Sequence, residues 1–339
     1  MFETLKTLCE MNGTSGREEN VREYILERIE GKCKIRVDAL GNIIAFKKGK
    51  KKSKNKVMIS AHMDEVGFIV TYITDEGYLR FDTVGGIDEK VIVGRQVTVG
   101  EKNIPGVIGI KAIHLTDKSD EGKVPEVSSM YIDIGAADKK EAEKYVSVGD
   151  SAYFISDFKR IGKNKVKSKA LDDRFGCSVM IDMIENGIEY DAYFAFLVQE
   201  EVGLRGAGAA TYAIEPDYAI VLEATTAADV AGVKKEDCVC ALSKGAVVSF
   251  MDRSTVYNRE LFKRAFELAK ENNIPCQTKT TVAGGNDAGA IHKSGKGVYT
   301  LTVSLPCRYI HSATSVADIE DMDTCKKIAR VLLSEFADA

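Results

Sequence analysis

The chain has 339 residues, 45% of them apolar and 29% charged, with a net charge of -4. That length suits two domains. The composition is that of a soluble globular protein, and the mild acidity argues against nucleic acid as the main partner. The first residues carry no basic segment followed by a long apolar run, and no stretch reaches the roughly 20 apolar residues of a membrane span. Eight scattered cysteines, at 9, 33, 177, 238, 240, 276, 307 and 325, form no CxxC pair and read as reduced thiols of a cytoplasmic protein.

In chain order, SGREENVREYILERIEG (15–31) predicts an amphipathic helix, with Val21, Ile25 and Ile29 at helical spacing and Gly31 as the stop. KIRVDALGNIIAFKKGK follows as two β-branched runs about a hairpin turn at Leu40-Gly41-Asn42. The basic run 47–56 reads as a solvated tip between strands. VMISAHMDEVGFIVTYI reads as a buried strand, an interruption and a second strand. Over 67–165, short β-branched segments alternate with glycine and charge. This predicts an inserted all-β unit, a barrel or sandwich, with one short helix at 138–146. From 166 onward helices alternate with strands, which predicts an α/β sheet, largely parallel and covered on both faces. That sheet is assigned to residues 1–66 and 166–339. Cys238-Val239-Cys240 reads as a further strand.

Ligands of such sheets bind beyond the carboxyl ends of the strands. Those ends carry His62 and Asp64, Asp172 and Asp173, Glu200 and Glu201, Glu223, and His311. Any one of them alone has an ordinary explanation, such as a helix cap for Asp172 or a buried ion pair for Glu223. Together, imidazoles and carboxylates converging from five strand or helix ends suit a divalent metal of the zinc type. Residues i and i+2 on a strand point the same way, so the Asp64 carboxylate is placed to accept the second N–H of His62. Adjacent Glu200 and Glu201 cannot share one direction from an extended chain, so one is read as a metal ligand and its neighbour as a proton carrier. A glycoside hydrolase would also need two carboxylates, but it needs no histidine ligands, and the chain has no tryptophan to stack on sugars. A non-catalytic scaffold would not need to retain every one of these groups.

The blocks AHMDEVG, ALDDRFG, VQEEVGLRGA, LEATTAAD, GGNDAGAIH and RYIHSATSV resemble those of the co-catalytic metallo-aminopeptidases. These include the tetrahedral, deblocking and glutamyl aminopeptidases, some of them labelled endoglucanase M. The resemblance runs through nearly the whole chain, in order. It implies an α/β/α peptidase domain with an inserted β-barrel that roofs the site or joins subunits. It implies two divalent metal ions per subunit, zinc with cobalt or manganese as alternatives. Short peptides would be the substrates, and the chain would form homo-oligomers from dimers to tetrahedral dodecamers. His62 and Glu223 would be terminal ligands of one metal, with Asp64 behind His62. Asp172 would bridge the two metals, with a cis peptide after it. Glu201 and His311 would hold the second metal, and Glu200 would be the general base. Glu223 stands where many such enzymes carry aspartate, which makes a metal-dependent deacylase or carboxypeptidase-like hydrolase the alternative. Asn286 stands where threonine is common, so the preferred side chain of the substrate is not carried over.

Overall fold

The computed structural model describes residues 1–115 and 122–339. The chain opens with α1 (Phe2–Glu10), which the sequence left unassigned, and α2 (Glu19–Ile29). Strands β1 (Lys34–Val37) and β2 (Ile43–Lys47) form the expected hairpin. Asp38 fixes its turn: Oδ1 accepts the backbone N–H groups of Leu40, Gly41 and Asn42 at 2.9, 3.0 and 3.0 Å. The fully buried β3 (Val57–His62) ends the first passage through the large sheet.

A closed barrel follows. Its strands are β4 (Gly67–Ile73), β5 (Leu79–Val84), β6 (Gln96–Val99), β7 (Ile104–Gly109), β8 (Tyr131–Asp133) and β9 (Ser151–Phe154). They close in the order β4-β5-β8-β7-β6-β9. The interior is a separate apolar cluster around Phe68, whose ring meets Phe81 at 5.1 Å and Phe154 at 4.9 Å. The short helix α3 (Lys139–Ala142) is capped by Asp138, which accepts from the Glu141 N–H at 2.9 Å.

The chain then returns to the large sheet through the hairpin β10 (Lys159–Ile161) and β11 (Lys165–Ser168). It continues as α4 (Leu171–Asn186), β12 (Ala192–Leu197), α5 (Arg205–Ile214), β13 (Tyr218–Thr226) and β14 (Ala246–Val248). After these come α6 (Arg259–Glu271), β15 (Cys276–Thr278), α7 (Ala288–Ile291), β16 (Tyr299–Arg308), β17 (Ser315–Asp318) and α8 (Ile319–Asp338). The sheet order is β1-β2-β12-β3-β13-β16-β17-β11-β10, with β14 and β15 branching from β16.

The largely parallel pairing expected is found in the central strands β12, β3, β13 and β16 and in the side pair β14–β15. The outermost pairs β1–β2 and β10–β11 are tight hairpins and so antiparallel, and each hairpin joins the centre through a further antiparallel pair, β2 with β12 and β11 with β17. Helix α4 crosses β3 and β13 with α1 and α2 packed on it; α8 lies on β13, β14 and β16 with α6 outside it; α5 lies on β12 and meets α7. The large core between them is made mainly of fully buried Ile, Leu, Val, Met and Phe.

Residues 238–240 do not form the expected strand. The following backbone at Ala241 is satisfied by a side chain instead: the Gln277 amide accepts its N–H at 3.1 Å and donates to its carbonyl at 2.8 Å. No two of the eight cysteines are bonded. Among the described residues no helix is long and apolar enough to cross a membrane.

Candidate active site

Strand register brings the first two groups together. His62 ends β3 level with Leu197 of β12, and Ser60 pairs with Val221 of β13, two residues before Glu223. His62 Nε2 therefore lies 3.6 Å from Glu223 Oε1. Asp172 arrives from the mouth of α4, where Ala170 takes a left-handed φ of 54° and the Asp172–Asp173 peptide is cis. Its Oδ1 is 3.3 Å from His62 Nε2, and its Oδ2 is 3.3 Å from His311 Nε2. One carboxylate thus faces two histidines through two different oxygens. His311 Nε2 also lies 3.4 Å from Glu201 Oε2, and His62 Nε2 lies 4.0 Å from Glu200 Oε2.

The paired glutamates both reach the site because the chain leaves its extended form just before them. Gln199 has φ of 56°, and the backbone turns through 201–203 before α5. Asp64 fixes that turn: its buried carboxylate accepts the Glu200 N–H at 3.0 Å, the Glu201 N–H at 3.1 Å and the Ser15 hydroxyl at 2.6 Å. Asp64 thereby differs from the role expected of its carboxylate. The nearer acceptor for His62 Nδ1 is the Asp64 backbone carbonyl, at 3.0 Å, against 3.5 Å for the carboxylate. His311 Nδ1 likewise donates to a carbonyl, that of Gly86 in the barrel, at 2.9 Å. A carbonyl only accepts, so in both rings Nδ1 carries a proton and Nε2 faces the carboxylates, as the donor of a second proton without a metal and as the nitrogen open to a cation once that proton leaves.

His62, Asp64, Asp172, Glu200, Glu201, Glu223 and His311 lie in this one cluster; Asp173, also named from the sequence, belongs to none of its ligand sets and accepts the Gly176 N–H in α4 at 2.9 Å. Three ligand sets have their donor atoms within 4.8 Å of one another: His62, Asp172 and Glu223; His62, Glu200 and Glu201; and Asp172, Glu201 and His311. The supporting groups gave no sequence signal. Glu18 Oε1 accepts the Gln199 N–H at 3.1 Å and so holds the start of the glutamate turn. Behind Asp172, buried Glu65 pairs with Lys169 at 2.5 Å and Arg174 at 3.5 Å. Lys169 in turn donates to the Met11 carbonyl at 2.9 Å. Asp287 is buried, with one carboxylate oxygen lacking any hydrogen-bond partner. Only its place in the GGNDAG block marks it.

The electrostatics follow from burial and crowding. Burial, then the neighbouring carboxylates, push Glu223 up to about 8 and Glu201 to about 7. Glu200 is raised well above the usual carboxylate range by burial and Glu223, against the pull of His62. Burial pushes Asp287 up to about 7. Burial opposes protonation of the histidines, but the carboxylates win: His311 rises to about 9 beside Asp172 and Glu201, and His62 also rises well above its usual value. Asp172 goes the other way, held far below the usual range by the two histidines despite its burial.

Among the described residues no lysine or arginine forms an ion pair with Asp172, Glu200, Glu201 or Glu223. Buried acids without such partners call for a cation. Imidazole nitrogen and carboxylate oxygen are the donors that zinc and similar divalent ions accept, so the residues present fit a metal centre.

A sequence profile of the family described as M42 glutamyl aminopeptidase matches residues 41–328. The chain is 42% identical over 332 residues to a putative aminopeptidase of Acetivibrio thermocellus, covering 97% of each protein. It is 34% identical to the lysyl aminopeptidase of Pyrococcus furiosus, covering 98% of this chain and 97% of that one. Among solved structures it is similar to the TET1 peptidase of Pyrococcus horikoshii, which can assemble into a tetrahedron or a large octahedral shell. There the TM-score is 0.85 at 36% identity, with 98% of each chain covered. The chain belongs to the M42 glutamyl aminopeptidase family, metal-dependent hydrolases of peptide bonds.

Proposed function

We propose that the protein removes single residues from the amino end of short peptides, using two divalent metal ions held at this cluster. The observation that carries the proposal is the bifurcated placement of Asp172, one oxygen toward His62 and the other toward His311. On this reading Asp172 would help to hold both ions. His62 and Glu223 would complete the site of one, and Glu201 and His311 that of the other. Zinc fits the donors, and cobalt and manganese suit the same set. When bound, such ions acidify a water and polarise the scissile carbonyl.

The chain's own residues do the rest. A Glu200 oxygen takes the proton of the attacking water and delivers it to the nitrogen of the departing amine. Its raised proton affinity, from burial and the nearby Glu223, suits a group that must both accept and return a proton. Asp64 acts through others: it clamps the backbone of Glu200 and Glu201 and so keeps the two carboxylates apart in their separate tasks. Glu18 supports the same turn from the other side. Cys177 donates to the His62 carbonyl at 3.1 Å, and burial pushes its thiol pKa upward, so it packs behind the site rather than reacting.

We assign residues 1–66 and 158–339 to the catalytic unit and 67–157 to a barrel unit; the second boundary moves from 166 to 158 because Phe158 packs in the large core and β10 pairs within the large sheet. Assembly into a closed oligomer, as described for the TET1 peptidase, would admit short peptides and exclude folded proteins. Eight unbonded thiols suit a cytoplasmic setting.

Metal dependence tests the activity. Prolonged chelation is expected to abolish hydrolysis of amino-acid p-nitroanilides and short peptides, and zinc, cobalt or manganese to restore it. Full turnover by protein that elemental analysis shows to be metal-free would refute the proposal.

A further inference from the structure

The two histidines of the cluster are held in different ways. His62 ends a buried strand, and its side chain is 1% exposed. His311 rides on the loop 309–314 between β16 and β17, and its side chain is 37% exposed. The β16–β17 ladder ends at Arg308 paired with Val316, so no strand partner fixes the loop itself. Tyr309 and His311 both take left-handed φ values, 60° and 57°, which side-chain-bearing residues hold only when their surroundings fix them.

The polar ties of this loop can be followed outward. Ser312 and Ser315 donate to the Tyr309 carbonyl at 2.7 and 3.3 Å, which sets the shape of the loop but not its place. Two ties lead to the barrel side: His311 Nδ1 to the Gly86 carbonyl at 2.9 Å, and Thr314 to Ser156 at 2.8 Å. The tie towards the Glu223 strand is Arg308, at the base of the loop. Its Nε meets Asp229 Oδ1 at 2.8 Å, and a terminal nitrogen meets Oδ2 at 2.7 Å.

An exposed ion pair would contribute little, but this one is two-pronged and largely buried, with 26% and 18% of the two side chains exposed. Asp229 is itself held, since it accepts the Leu242 N–H at 3.1 Å. A small apolar cluster of Ala227, Cys240, Leu242, Val247 and Val316 packs among the same segments. The Arg308 fork therefore joins the base of the His311 loop to a fixed point on the loop after β13. Glu223 does not depend on it. That residue pairs with Ser304 inside the β13–β16 ladder, with three more pairs beyond it before β13 ends.

We infer that the Arg308–Asp229 pair is a positioning device for the second metal ion: it holds His311 within reach of Asp172 and Glu201. Its loss would weaken the site completed by Glu201 and His311 and spare the site completed by His62 and Glu223. This rests on the two-ion reading above.

The test is zinc binding by metal-stripped protein, titrated and then dialysed, in the wild type, Arg308→Met, Asp229→Asn and the double variant, with His311→Ala as the reference for loss of that site. The wild type is expected to retain about two zinc ions per chain and each single variant about one, with affinity for the second ion lowered by about 10- to 100-fold. The double variant should bind no more weakly than either single variant, because both act through one pair. Excess zinc should return turnover of leucyl p-nitroanilide in the single variants, which a general loss of structure would not allow. Asp229→Asn keeps the size of the side chain and serves if Arg308→Met does not fold. Two ions held as tightly as in the wild type by both single variants, or equal loss of both ions, overturns this inference and leaves the two-ion reading standing. A wild type that binds fewer than two ions per chain refutes that reading, and this inference with it.

Discussion

Each of the two histidines donates Nδ1–H to a backbone carbonyl and turns Nε2 to a crowd of carboxylates. In the absence of metal that crowd holds protons the unfolded chain would release. Glu201 and Glu223 rise from 4.5 to about 7 and about 8, and His311 rises from 6.5 to about 9. Both kinds of shift act in one direction. The acids impose no penalty below their unfolded value, and a growing one as pH climbs to their folded values. The contribution of His311 is complete below its unfolded value and is lost as pH rises through about 9. Asp172, held low, changes charge only in acid outside this window. The folded metal-free protein therefore binds more protons across the range, and its stability falls from about pH 5 to about pH 9. Thermal unfolding of metal-free protein is expected to show a lower midpoint at about pH 8.5 than at about pH 5.5, with added zinc raising the midpoint more at the higher pH. A metal-free midpoint that is flat or rises over that interval would contradict this account of the charges.

The elements explain why the residues of the cluster could be named from sequence and their supports could not. His62 closes β3 and Glu223 follows the apolar run of β13, runs that are plain in VMISAH and YAIVLE, and a charged residue after such a run stands out. Asp172 and His311 stand out for the same reason at the mouth of α4 and after β16. Glu18, Glu65 and Lys169 sit among many other charges in helix-flanking or loop segments. Their partners lie 181 positions away for Glu18 with Gln199 and 104 for Glu65 with Lys169, and no local pattern encodes such a contact. The turn of the paired glutamates depends on a distant contact as well. Gly206 leaves no room for a side chain there: an added Cβ would lie 2.4 Å from Asn42 Oδ1 and 2.5 Å from the Val198 carbonyl. Asn42 itself accepts the Val198 N–H at 2.9 Å, so the β1–β2 hairpin buttresses the end of β12. The hairpin and the glycine were each visible in the sequence; that they touch was not. The failed strand at 238–240 has the same origin, since distant groups meet the backbone there without a ladder: Thr280 at Cys238 and Val239, and the Gln277 side chain at Ala241.

At the scale of the molecule, the barrel is tied into the site through the Gly86 carbonyl on His311, so sheet and barrel together complete the cluster. The barrel also presents apolar side chains to solvent, among them Ile69, Tyr72 and Val107. These suit a surface that is covered when subunits meet. Sedimentation velocity of metal-loaded protein at micromolar concentration is expected to show a particle far heavier than the 37.1 kDa chain. A lone monomer would rule out the enclosed chamber and leave the peptidase chemistry standing. The central claim is that this one cluster holds metal and moves a proton with separate residues. Glu200→Gln addresses it most directly, because the amide keeps the size of the side chain and cannot accept a proton. The account predicts that this variant retains the metal content of the wild type by elemental analysis while kcat on short peptides falls by about 10²- to 10⁴-fold. Turnover close to wild type, with the metal still bound, would contradict it.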